Sequence, residues 1–70
     1  MSQRYRLETN TLAVVYRSGA RDLVMVPKDS IIEVTIPVDE ASTGMVDVAF
    51  DGRTVTMFVE DIRQRGRTIP

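Results

Sequence analysis

The side chains of this 70-residue chain that could do chemistry are nine cations and ten carboxylates, with no histidine and no cysteine. That pair of absences removes the commonest general base, the commonest metal ligand and any thiolate nucleophile. A Ser or Thr hydroxyl activated by lysine or by a carboxylate is what remains. Ser30 stands two residues from Lys28, but Pro27-Lys-Asp-Ser30 is a turn signature, and turn chemistry accounts for both residues. The acids Asp39-Glu40 and Glu60-Asp61 are adjacent. Adjacent residues of an extended segment point to opposite sides, so neither pair converges on one reacting group. Asp39, Glu40, Ser42 and Thr43 offer oxygens without the ligand spacing of an EF-hand, and they read as a solvated loop. The glycines at 19, 44, 52 and 66 are too scattered for a phosphate-binding loop. The expectation is a protein that is not an enzyme, with no cofactor and no metal.

Arginine is the one enriched chemistry. Eight of the nine cations are Arg, although the net charge is −1 and favours neither nucleic acid nor a membrane surface. Arg4 and Arg6 lie near one end of the chain, and Arg63, Arg65 and Arg67 near the other. Termini of compact domains often lie close together. These five would then form one basic patch, with Tyr5 as a stacking platform for RNA or single-stranded DNA. Two readings compete with it: a solvated face in which Glu60 and Asp61 pair with nearby arginines, and protein contact or self-association through the arginines. Arg53 has a local explanation, its stem lying over Phe50.

These side chains must be carried by strands. The run from Met45 to Val59 is two alternating apolar segments joined by Asp51-Gly52. Asp-Gly at that place specifies a two-residue type I′ turn, because Asp tolerates positive φ and Gly has no Cβ. The turn sets Phe50 opposite Arg53, Val48 opposite Val55 and Val46 opposite Met57. One face is then Val46, Val48, Phe50, Val55 and Met57, and the other carries Asp47, Ala49, Thr54 and Thr56. Met45 and Phe58 break this pattern, since they pair on the polar face. Either a following segment covers them, or they are an exposed protein contact.

Thr11–Tyr16 and Asp22–Val26 read as two further strands about Ser18-Gly19. A tight turn there sets Leu12 against Met25, Val14 against Leu23 and Tyr16 against Arg21. Ile31–Ile36 is another strand, ended by Pro37, and 38–44 is a loop. Glu60–Arg65 favours a single helical turn, with Ile62 inward and Gly66 as its stop. Arg67–Ile69 is a short extended piece, and residues 1–8 are a frayed start or an edge strand. The whole of 1–70 is one small all-β domain. No apolar stretch approaches the ~20 residues that span a bilayer, and the start lacks a signal-peptide core. The expectation is a cytoplasmic protein with no membrane partner. A chain this small without staples gains stability by oligomerising.

The order of these elements resembles an SH3-like barrel over residues 11–69. Asp22-Leu23 through Lys28-Asp29 looks like the diverging turn, 38–44 like the variable loop, Met45–Val59 like the central hairpin, and Glu60–Gln64 like the short helical turn before the last strand. The resemblance implies a five-stranded barrel. It does not extend to proline-rich peptide binding: the chain has no Trp, and Met45-Val46 stands where such domains carry a paired Trp. The functional expectation is a binding or assembly module acting through a strand edge or through Met45 and Phe58. The alternative is a nucleic-acid binder using Arg4, Tyr5, Arg6, Arg63, Arg65 and Arg67.

Overall fold

The computed structural model describes residues 3–35 and 44–70. The end of the expected strand at Ile36-Pro37, the 38–44 loop up to Thr43, and the oxygen set Asp39, Glu40, Ser42 and Thr43 lie outside the described residues.

Seven strands and one helix follow in the order β1 (Gln3–Leu7), β2 (Thr11–Arg17), β3 (Ala20–Val26), β4 (Ile31–Val34), β5 (Met45–Phe50), β6 (Arg53–Phe58), α1 (Val59–Arg65) and β7 (Gly66–Ile69). They form one antiparallel sheet in the order β3-β2-β6-β5-β4-β1-β7. The all-β class holds. Where the sequence implied a five-stranded barrel, the structure has seven strands in an open sheet with β3 and β7 as edges. The two added strands lie where the sequence reading has a frayed start or edge strand and a short extended end; β1 is a strand, placed inside the sheet rather than at its edge. Tyr5 and Leu7 alternate with Arg4 and Arg6, so β1 buries two side chains while its backbone needs partners on both sides. It finds them in β4 and β7.

Both hairpins keep the register that their turns dictate. Phe50–Arg53, Val48–Val55 and Val46–Met57 are opposed, and so are Leu12–Met25, Val14–Leu23 and Tyr16–Arg21. Asp51 and Gly52 take φ of 51° and 75°, and Ser18 and Gly19 take 46° and 80°. Both turns therefore have the double positive φ of type I′.

The inner face supplies the core: Tyr5, Leu7, Ala13, Val26, Ile32, Val34, Val48, Val55 and Met57, with Ile62 of α1 inserted among them. The helix has seven residues, longer than the single turn expected at Glu60–Arg65. Its acids stand in the first turn and its arginines in the last, which suits the helix dipole. Glu60–Arg63 and Asp61–Arg65 are spaced to pair along its surface. Gly66 ends it in an extended conformation (φ −104°), donating its N–H to the Ile62 carbonyl.

Candidate functional site

A sheet that builds its core from one face leaves the other to solvent, and register decides which side chains that face shows. Val14 opposes Thr56, so the Leu12-Val14-Tyr16 side of β2 continues the Thr54-Thr56-Phe58 side of β6. Met45 opposes Phe58, and Leu23 and Met25 oppose Val14 and Leu12. Continuing the β2–β6 register by two residues brings Leu12 opposite Phe58. One apolar band therefore crosses four strands on the outer face, from Leu23 and Met25 through Leu12 and Val14 to Phe58 and Met45.

The band is open to solvent along most of its length. Leu23 is 69% exposed, Met25 55%, Phe58 45% and Met45 38%, and Tyr16 is exposed beside them. Val14 in its middle is buried. Met45 also borders a surface pocket lined, among the described residues, by Thr35, Val46 and Asp47. The polar part of the same face is satisfied within the sheet, where the Thr56 hydroxyl donates to Asp47 at 2.9 Å.

Met45 and Phe58 are legible in the sequence because they break an alternation. For Leu23 and Met25 the sequence sets the cross-strand neighbours and not what lies above them. The signal was present: β2 and β3 are apolar on both faces, with Ala13, Val15, Val24 and Val26 on one and Leu12, Val14, Leu23 and Met25 on the other. A two-sided hairpin at a sheet edge can give only one face to the core.

The arginines are arranged differently from one patch. The two ends of the chain do meet, as β1 and β7 pair with Arg4 opposite Ile69 and Arg6 opposite Arg67. Arg4, Arg6 and Arg67 share the outer face of these strands, whereas Arg63 and Arg65 belong to α1. Arg63 pairs with Glu60 at 3.0 Å, Arg67 with Glu8 at 3.0 Å, and Arg65 lies 3.9 Å from Asp61. Arg65 also donates to the Asn10 carbonyl, and Arg4 to that of Pro70. Tyr5 is corrected outright. It is 6% exposed, belongs to the core, and its hydroxyl donates to Gln3 Oε1 at 2.7 Å, so its ring offers no stacking surface.

Among the described residues no three carboxylates converge as a metal site, and no helix is long and apolar enough to cross a membrane. The chain matches no known protein family, and comparisons with curated proteins and with solved structures give no significant match.

Proposed function

We propose that this chain is a non-enzymatic binding and assembly module that acts through protein contacts on the outer face of its sheet. The observation that carries this is the exposed apolar band of Leu23, Met25, Phe58 and Met45. At the ~200 Å² that a large side chain presents, these residues and Tyr16 expose on the order of 500 Å² of apolar-rich surface. That is the size of the largest patch on a typical monomer, which is often functional, on a chain whose whole surface is 4808 Å². Covering such surface is favourable at about 25 cal/mol per Å². An SH3-like layout is the architecture we propose for it. The run β1-β4-β5-β6 of neighbouring strands, the central β5–β6 hairpin and the short helix before the last strand support that layout.

The nucleic-acid alternative has less support. Carboxylates of Glu8, Glu60 and Asp61 sit on three of the five arginines, and the aromatic platform is buried.

The test is a photo-crosslinking amino acid in place of Phe58, irradiated in cells that express the chain, with Gln64, exposed on α1 and off that face, as the control position. The expected result is a discrete adduct from position 58 and none from 64. No adduct at 58, or equal smears from both, refutes the module reading.

A further inference from the structure

An open sheet has two edges, and this one treats them differently. β7 is four residues long, carries the Arg67–Glu8 ion pair and runs into Pro70. Short length, charge and proline are the devices that keep an edge from recruiting another strand. β3 is seven residues long; Arg21 and Asp22 charge its first half and Pro27 follows it, but the four residues between, Leu23-Val-Met-Val26, have no charge and no proline. Among the described residues β3 pairs with β2 alone.

The free backbone groups of β3 can be assigned. A two-residue primed turn closes on a hydrogen-bonded pair, here Arg17–Ala20. Pairing then alternates, so Ala20, Asp22, Val24 and Val26 bond to β2, while Arg21, Leu23 and Met25 turn their N–H and C=O groups outward. The side chains of these same three residues stand on the outer face, beside the apolar band.

We infer that the strand completing this edge is β3 of a second copy, paired antiparallel about a two-fold axis through Leu23. The inference goes beyond the outer-face reading: it names a partner for the β3 edge, and the pairing leaves Phe58 and Met45 of β6 and β5 uncovered. The choice of copy and of register follows from self-complementarity. An axis at Arg21 sets Arg21 against itself, and an axis at Asp22 sets Asp22 against itself; like charges directly opposed are unfavourable. An axis at Val24 sets Arg21 opposite Pro27, which has no N–H to donate. The axis at Leu23 sets Leu23 opposite Leu23, Arg21 opposite Met25 and Asp22 opposite Val24. It opposes no like charges, and its three outward pairs exchange about six backbone hydrogen bonds. Leu23 and Met25, the most exposed apolar side chains of the edge, then lie beside their copies. The two apolar bands become one band across the joined sheets.

The absence of cysteine makes the register directly testable. Opposed residues in a hydrogen-bonded antiparallel pair have Cα atoms about 5.5 Å apart, with side chains slightly too far apart for a relaxed disulfide but within reach of a short bifunctional thiol reagent. Leu23→Cys is therefore expected to give a covalent dimer with such a reagent. Met25→Cys is not, because the two copies of residue 25 are offset by four residues, roughly 13 Å along the strands. Sedimentation of the unaltered chain is expected to show dimer at concentrations on the order of 100 μM, as suits a small interface. Leu23→Lys, at a solvent-exposed position, is expected to give a folded monomer. An unaltered chain that stays monomeric at that concentration, or a Met25→Cys variant that cross-links as fast as Leu23→Cys, overturns the pairing. A monomer that still gives an adduct of another mass from position 58 overturns the pairing alone. A dimer with no adduct at 58 overturns the outer-face reading alone.

Discussion

Two glycines show how similar residues serve different physical ends. At Gly52 the backbone is at φ +75°, and no atom lies within 4 Å of where a Cβ would stand. Only conformation opposes a side chain there. Gly52→Ala is expected to cost about 1 kcal/mol, and Gly52→Asn less, since Asn enters the left-handed region more readily. At Gly66 the backbone is extended and accepts any residue, but a Cβ would sit 2.7 Å from the Ile62 carbonyl oxygen and 3.4 Å from Tyr5 Cβ. Gly66→Ala is expected to cost ~1–3 kcal/mol through crowding, with no relief from Asn. Urea unfolding of the four variants separates the two causes: Asn milder than Ala at 52, and not at 66. The helix stop was thus expected at the right residue for the wrong reason. A left-handed cap and a tight backbone approach both ask for glycine, and only coordinates tell them apart.

The β5–β6 hairpin was legible almost entirely. Its register follows from a turn of two residues and from an alternation that tolerates no slip, both local properties of fifteen consecutive residues. Within β6 the neighbours Met57 and Phe58 point to opposite faces, one fully buried and the other exposed. Met57→Ala is expected to lose ~2–5 kcal/mol. Phe58→Ser is expected to stay within about 1 kcal/mol of the unaltered chain while losing whatever the outer face holds. Thermal unfolding measured beside partner capture checks both halves, and dimer formation through β3 is expected to be unchanged. If Phe58→Ser unfolds the domain, residue 58 is a core position and the contact reading of the band fails. In α1 the Glu60–Arg63 and Asp61–Arg65 pairs are exposed ion pairs, each worth at most a few tenths of a kcal/mol. Their effect on partners is larger than on stability, because they neutralise locally the arginines that a phosphate backbone would need.

For the molecule as a whole, the decisive strand is the one the sequence leaves between a frayed start and an edge strand. β1 bridges β4 and β7, and Tyr5 and Leu7 enter the core. The Leu7 N–H donates to the Ser30 carbonyl, and the Leu7 carbonyl accepts from Asp29 N–H. Removing residues 1–7 is expected to abolish cooperative unfolding; a truncated chain with an unchanged unfolding midpoint contradicts this placement. By itself the sequence determined the all-β class, both hairpins with their registers, the turn conformations and the exclusion of histidine and thiol chemistry. Each depends on neighbours in the chain or on composition. Tertiary structure alone decided the partners of β1 and β7, the burial of Tyr5, the division of the arginines between sheet and helix, and the outer face given to Leu23 and Met25. Alternation states that a strand has two faces. Which face meets the core, and which strand is left at an edge, depends on pairings between residues as far apart as Arg4 and Ile69, and no local pattern encodes those.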